Sequence, residues 1–94
     1  DLIVDPNRWV ARRGERELEL TRTEFRLLVA LAQRAGCVVP RGELMQSVWE
    51  YDFGTSSSNL DVYVSYLRRK LEADGEPRLL HTVRGVGYVL RIEP

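Results

Sequence analysis

The chain has 94 residues, a length that supports one domain with a single modest core. Hydrophobic residues make up 44% and charged residues 30%, as in an ordinary globular protein, and the formal net charge of zero argues against a generally basic nucleic-acid coat. No apolar run approaches the roughly 20 residues of a transmembrane helix, and the chain opens with no signal-peptide pattern, so we expect no membrane contact and a cytoplasmic location.

Short apolar segments separated by turn signals occupy residues 1–20. The segments are residues 2–4, 9–11 and 17–20, and the turn sequence Asp-Pro-Asn at 5–7 separates the first two. Such short alternating segments predict a small antiparallel sheet at the start of the chain.

A capping box opens the first predicted helix. Thr21 is placed as the N-cap and Glu24 follows three residues later. Apolar residues then recur at helical spacing, and Gly36 stands where a helix commonly ends, so we predict a helix over about 22–35.

Cys37 is the only cysteine, which argues against a disulfide framework and favours a reducing compartment. Because it precedes two valines, we expect it to be a small buried hydrophobic residue. One histidine and one cysteine do not provide metal-site spacing, and we expect neither a metal nor a cofactor.

The second half of the chain predicts two more helices and a hairpin. Pro40 precedes a second helix over about 41–49, and residues 50–58 form a loop. A third helix covers about 58–73, and a hairpin of two strands covers 79–92.

The third predicted helix has an apolar stripe and an unusual opposite face. Leu60, Val64, Leu67 and Leu71 share the stripe and are expected to face the core. The opposite face carries short polar, aromatic and basic residues, namely Ser58, Asn59, Val62, Ser65, Tyr66 and Arg69. Short hydroxyl groups permit close approach to DNA, a valine methyl can meet a thymine methyl, and arginine suits phosphate or guanine. An ordinary solvated amphipathic helix is the alternative.

Asp61 and Arg68 lie two turns apart at the border of the apolar stripe. An ion pair that holds the helix against its neighbours is at least as good an interpretation of Asp61 as a DNA contact, and Arg68 suits either role.

The hairpin places Arg84 at its tip, beside Gly85 and Gly87. A slim loop with one arginine fits the minor groove of DNA, which is about 6 Å wide. A tight turn with a solvated arginine is the alternative, with both glycines present for their backbone angles alone. Between residues 66 and 91, six basic residues face three acidic ones, so this half of the chain can form one basic surface.

Four motifs in register resemble the winged-helix effector domain of OmpR/PhoB-type response regulators. They are LTRTEFRLL at 20–28, RGELMQSVW at 41–49, NLDVYVSYLRRKL at 59–71 and TVRGVGYVL at 82–90. The resemblance implies an α+β fold, a winged helix-turn-helix with an N-terminal four-stranded antiparallel sheet, three helices and a C-terminal β-hairpin wing.

The resemblance also implies sequence-specific binding of double-stranded DNA in transcription control. The third helix would enter the major groove, and its candidate contacts are Ser58, Asn59, Val62, Tyr63, Ser65, Tyr66, Arg68 and Arg69. Arg84 would enter the minor groove with Thr82 and Tyr88 beside it, and Trp49 would touch phosphate. A loop that can meet RNA polymerase in some members corresponds to Glu50, Tyr51, Asp52, Phe53 and Gly54.

Further partners follow from the resemblance. It implies that a receiver domain phosphorylated on aspartate precedes residue 1 in the full-length protein, and that a sensor histidine kinase acts on that receiver. Two copies would bind direct-repeat half-sites about one helical turn of DNA (~10 bp) apart.

Ser65 and Tyr66 depart from the family pattern, since several relatives carry basic residues there. We therefore expect a weaker electrostatic attraction to DNA and a different base preference. Tyr66 could instead stack on a sugar or pack against the hairpin.

Two other classes of function fit the sequence less well. An enzyme is disfavoured because the single His81 has no nucleophile or acid at diagnostic spacing. A winged-helix protein-interaction module is the stronger alternative, with Trp49, Tyr51 and Phe53 as an exposed aromatic patch.

Overall fold

The computed structural model describes residues 2–48 and 57–91, with only the backbone at 57–59. The elements in chain order are β1 Leu2–Asp5, β2 Val10–Arg13, β3 Arg16–Glu17, α1 Arg22–Ala32, β4 Val39–Pro40, α2 Arg41–Val48, α3 Ser57–Leu71, β5 Leu80–Val83 and β6 Gly87–Leu90. Among these residues, no helix is both long enough and apolar enough to cross a membrane.

The N-terminal sheet contains three antiparallel strands in the order β1-β2-β3. Leu2 pairs with Arg13 across the first hairpin, and Arg12 pairs with Glu17 across the second. The three apolar segments of the sequence therefore match three strands, but the fourth strand implied by the family resemblance is not found in the described residues. After β3, Leu18 donates one more backbone hydrogen bond to Ala11 at 2.8 Å, and the chain then turns into α1 at its N-cap Thr21.

The capping box of α1 is confirmed. The backbone N–H of Glu24 donates to Thr21 Oγ1 at 3.2 Å, and the backbone N–H of Thr21 donates to Glu24 Oε1 at 2.9 Å. The helix ends at Ala32, three residues before the predicted end at Ala35. Its last turns tighten because Arg34 and Ala35 donate to the carbonyls three residues earlier.

The predicted burial of Cys37 is wrong, because its side chain is exposed. Gly36 has a φ of +86° and donates its backbone N–H to the carbonyl of Leu90, which turns the chain sharply after α1. The chain reaches the core two residues after Cys37, so Val39 is buried and the cysteine is not.

A single cluster of buried side chains joins the three helices to both sheets. Leu28 and Leu31 come from α1, and Leu44 comes from α2. The predicted stripe of α3 is confirmed, since Leu60, Val64, Leu67 and Leu71 are all buried. This helix begins at Ser57 and ends at Leu71, two residues before the predicted end at 73.

The C-terminal sheet has the strand order β4-β6-β5, so the short β4 extends the hairpin into a three-stranded sheet. Val39 pairs with Tyr88, and Pro40 pairs with Gly87. A Cβ atom on Gly87 would lie 2.0 Å from the carbonyl oxygen of Val39, so this glycine is required by the close approach of two strands. The alternative in which both hairpin glycines serve backbone angles agrees with Gly85, which has a φ of +77°, but not with Gly87.

Candidate nucleic-acid interface

The side of α3 opposite the core presents an exposed ridge, which we call the outer ridge and define as Val62, Ser65, Tyr66 and Arg69. Val62 exposes 44% of its surface and Tyr66 43%, and Ser65 and Arg69 are also exposed. With about 100° of rotation per residue, these four side chains fall within a sector of about 100° that points away from the buried stripe. The rest of the described chain leaves this ridge open to solvent.

Aromatic contacts order part of the outer ridge. The rings of Tyr63 and Tyr66 meet edge to face with centroids 6.0 Å apart, and the Arg69 guanidinium carbon lies 6.0 Å from the Tyr66 ring centroid. Tyr63 itself is half-buried and packs against the core cluster. Tyr66 therefore packs against its own helix rather than against the hairpin in the described structure.

Arg68 ties α3 to the hairpin. Its Nε donates to the carbonyl oxygen of Leu80 at 3.0 Å, and its Nη2 donates to Thr82 Oγ1 at 3.0 Å. Burial, followed by repulsion from Arg78, lowers the pKa of Arg68, although a guanidinium stays charged at neutral pH. Two of the predicted DNA contacts, Arg68 and Thr82, thus bind each other and hold β5 against the helix.

Asp61 forms a second link, which we call the Asp61 cluster and define as Arg41, Asp61 and Tyr88. Arg41 Nη1 donates to Asp61 Oδ1 at 2.5 Å, and the Tyr88 hydroxyl donates to the same oxygen. The ion-pair interpretation of Asp61 is therefore confirmed, and its partner stands at the start of α2. The hydrogen bond from Arg41 lowers the pKa of the Asp61 carboxyl, and the Tyr88 hydrogen bond lowers it further. Burial raises the pKa of Tyr88, and its bond to Asp61 acts in the same direction.

These links place the hairpin along one flank of α3. Arg68 contacts its base at Leu80, and Asp61, two turns earlier in the helix, contacts Tyr88 nearer the tip. The backbone N–H of Arg41 also donates to the carbonyl of Val86 in the hairpin turn, at 3.1 Å. The turn at 84–86 therefore lies beside the N-terminal half of α3 and the start of α2.

Arg84 is exposed at this turn, and within residues 2–48 and 57–91 its side chain has no hydrogen-bond or ion-pair partner. Other basic groups of this half of the chain are paired with acids: Lys70 Nζ lies 2.6 Å from Glu24 Oε1, and Arg78 Nε lies 3.1 Å from Glu72 Oε2. Arg69 also has no carboxylate partner in the described part of the chain. The exposed cations Arg69 and Arg84 therefore offer positive charge to a ligand here.

The structure brings together only part of the predicted site. The outer ridge, Thr82 and Arg84 are exposed, whereas Tyr88 is only 5% exposed and positions Asp61. The predicted residues outside the described structure are Trp49, Glu50, Tyr51, Asp52, Phe53 and Gly54, and the side chains of Ser58 and Asn59. The predicted aromatic patch of Trp49, Tyr51 and Phe53 lies outside the described residues with them.

Sequence reasoning missed Arg41. A cation at the start of a helix interacts unfavourably with the helix dipole. An arginine at this position therefore indicates an interaction with an acidic partner elsewhere in the fold. The partner itself, Asp61, is 20 residues away and could not be identified from spacing.

Residues 15–90 match the family model described as transcriptional regulatory protein, C terminal. Response regulator MprA of Mycobacterium tuberculosis is 56% identical over all 94 residues, and so is MprA of Mycobacterium avium. In both comparisons the chain spans 41% of the length of the relative.

Solved structures agree with this relationship. The DNA-binding domain of response regulator AdeR in complex with an intercistronic region has a TM-score of 0.86 and 32% identity, covering 96% of this chain and 93% of that one. The Klebsiella pneumoniae RstA DNA-binding domain in complex with the RstA box has a TM-score of 0.82 and 30% identity, covering 96% and 90%. The predicted winged-helix fold is confirmed by these likenesses.

Proposed function

Because this chain belongs to the family of C-terminal domains of transcriptional regulatory proteins, we propose that it binds double-stranded DNA sequence-specifically to control transcription. In this proposal α3 lies in the major groove and the hairpin, which we now call the wing, places Arg84 in the adjacent minor groove. The fold is a non-enzymatic one, in agreement with the prediction that the chain is not an enzyme.

One observation carries the proposal: the exposed outer ridge and the exposed Arg84 belong to two elements that are bonded side by side. The Asp61 cluster and the Arg68 bonds hold the wing on one flank of α3. Protein contacts to two adjacent grooves require such a fixed arrangement, because the spacing of the grooves is set by the duplex.

The chemistry of the outer ridge suits a groove floor. The major groove, about 12 Å wide, admits an α-helix, and Ser65 adds little bulk between helix and bases. Arg84 has no acidic partner in the described chain, so its charge is available to the electronegative minor groove.

The wider context follows from the relatives, which are response regulators. We extend the proposal to a receiver domain N-terminal to this chain, to a sensor histidine kinase acting on it, and to a cytoplasmic location. Binding to direct-repeat half-sites and contact of residues 50–54 with RNA polymerase belong to the same proposal. Trp49, Ser58 and Asn59 remain proposed contacts with DNA.

A salt titration against duplex DNA tests the proposal. The logarithm of the binding constant should fall linearly with the logarithm of salt concentration, with a slope of about −0.9 per neutralised phosphate. Absence of duplex binding even at low salt, together with recovery of a protein partner in a pull-down, would favour the protein-interaction alternative.

A further inference from the structure

Trp9 has an unusual backbone conformation and an exposed ring. It ends the turn between β1 and β2 with a φ of +55°, where a bulky side chain is strained and glycine or asparagine is usual. Its ring stacks on the ring of Phe25, with centroids 4.6 Å apart and an angle of 29° between the planes. The stack covers the buried Phe25, yet 52% of the Trp9 surface remains exposed. Protection of the core therefore accounts only for the inner face of the indole.

Two hollows in the surface share the Trp9–Phe25 stack as a wall. Leu18, Leu20 and Arg22 complete the first hollow. The second is completed by residues of the β1–β2 turn, of α1 with its C-cap, and of α2, namely Pro6, Arg26, Val29, Ala30, Gln33 and Ser47. Each hollow thus combines apolar walls with one arginine. Apolar surface with a polar rim is typical of protein interaction sites, and tryptophan and arginine are enriched there.

The two arginines of the hollows carry uncompensated charge. Arg22 is exposed and Arg26 is half-buried, and neither side chain forms an ion pair or a hydrogen bond within residues 2–48 and 57–91. Arg34, which follows α1, is paired with Glu43 instead. Two cations without acidic partners beside exposed apolar surface favour a ligand that carries both carboxylates and apolar groups.

The hollows follow one line along α1. Arg22, Arg26 and Val29 lie within about 60° of one another around the helix axis, and Gln33 continues the same line. The eleven residues from Arg22 to Gln33 correspond to about 16 Å, which about five residues of an extended chain would span. Duplex DNA offers phosphates for the arginines but no apolar side chains for the hollows, whereas a polypeptide segment offers both groups.

We propose that this surface, which we call the Trp9 groove and define as Trp9, Phe25 and the residues of the two hollows, binds an acidic segment of another protein. Apolar side chains of that segment fill the hollows beside the indole, and its carboxylates bind Arg22 and Arg26. No residue of the Trp9 groove belongs to α3 or to the wing, so this binding does not depend on the proposed DNA binding.

Peptide selection provides a probe. Decapeptides of random sequence displayed on phage are selected on the immobilised wild-type chain, and the enriched peptide is synthesised with a fluorescein label for anisotropy titrations. Enriched sequences should contain both acidic and large apolar residues, and their affinity should fall as salt is added. Enrichment of basic sequences, or no enrichment at all, would overturn the proposal.

Variants of the Trp9 groove then test where the peptide binds. Trp9→Gly accepts the positive φ, so the chain should fold as judged by circular dichroism, and the affinity for the peptide should fall about 30-fold or more. Trp9→Phe keeps an aromatic ring and should lose less affinity. Arg22→Gln and Arg26→Gln should each weaken binding about two- to fivefold. Ile3→Ala and Arg12→Gln are the matched controls, an exposed apolar residue and an exposed arginine of the N-terminal sheet, and should leave the affinity unchanged.

Peptide binding that persists in Trp9→Gly would contradict the proposal. So would a reduced salt slope for duplex DNA in Arg22→Gln and Arg26→Gln with unchanged peptide affinity, because the arginines would then contact phosphate. Self-association of the wild-type chain in sedimentation, abolished by Trp9→Gly, would assign the Trp9 groove to a second copy and overturn the proposal as well. Duplex affinity should be the same in Trp9→Gly and wild type, so failure of this proposal and failure of the DNA-binding proposal appear in different titrations.

Discussion

Arg13 in β2 donates a hydrogen bond from Nη1 to the carbonyl oxygen of Leu71, the last residue of α3, at 2.8 Å. Its Nη2 donates to the carbonyl oxygen of Pro77 at 2.6 Å, and the residue is only 3% exposed. Arg16 adds a contact from Nη1 to the carbonyl of Lys70 at 3.2 Å and an ion pair with Glu76 at 2.8 Å. Arginines of the N-terminal sheet thus donate hydrogen bonds to the last carbonyl groups of α3, which have no partners within the helix.

Replacing Arg13 by methionine should lower the free energy of unfolding by about 2–3 kcal/mol, because two acceptors lose a charged donor. Urea unfolding followed by circular dichroism measures the change. Arg12→Met is the matched control: Arg12 is the exposed neighbour on the same strand, and its replacement should change stability by less than about 0.5 kcal/mol. Equal effects for both variants would contradict a specific role for Arg13 at the end of α3.

Gly87→Ala should destabilise the wing by about 1–3 kcal/mol or more, since the new Cβ atom would lie 2.0 Å from the carbonyl oxygen of Val39. The strands would have to separate, and their amide protons should exchange faster with solvent. Gly42→Ala is the control in α2, where a Cβ atom meets nothing within 4 Å. That variant should be neutral or more stable by up to about 1 kcal/mol, because alanine favours a helix.

Asp61→Asn should lower stability by about 1 kcal/mol at neutral pH, because the charge-assisted bonds of the Asp61 cluster are half-exposed. The folded-state pKa of Asp61 is lowered, so its contribution is present above the pKa of the unfolded chain and is lost as the pH falls through the folded value. The difference in the free energy of unfolding between wild type and Asp61→Asn should therefore become smaller below about pH 4. Urea unfolding at a series of pH values from neutral to acidic measures this difference.

Glu17→Gln provides the comparison for that series, since Glu17 is an exposed carboxylate on the N-terminal sheet. Its replacement should change the free energy of unfolding by less than about 0.5 kcal/mol. A difference for Asp61→Asn that widens as the medium becomes acidic would show that the carboxylate is not stabilised by Arg41 and Tyr88.

Arg84→Ala should weaken duplex binding at every site and reduce the salt slope by about 1, because one cation is removed from the interface. The loss should be largest for duplexes with an A·T-rich, narrow minor groove beside the site. Arg12→Ala removes an exposed arginine from the N-terminal sheet and should leave the affinity for duplex DNA and its salt slope unchanged. Binding that is unaffected by Arg84→Ala would contradict the wing assignment.

Much of the fold could be predicted from sequence because it depends on neighbours along the chain. The capping box joins Thr21 and Glu24 within one turn, and the buried stripe of α3 repeats over successive turns. The exposure of Val62, Ser65, Tyr66 and Arg69 follows from the same periodicity. The end of α1 was less predictable, because the tightened turns and the Gly36 bond to Leu90 depend on a strand far along the chain.

The sequence by itself therefore determined the three helices, the N-terminal strands and the C-terminal hairpin, their order, and the faces that α3 turns inward and outward, since these are set by contacts a few residues apart. Tertiary structure alone decided which groups hold the helix and the wing together. Arg41 and Asp61 are 20 residues apart and Arg13 and Leu71 are 58, and such partners meet only when separate elements pack. The exposure of Cys37 and the need for glycine at 87 were decided in the same way, by how closely strands and turns approach one another.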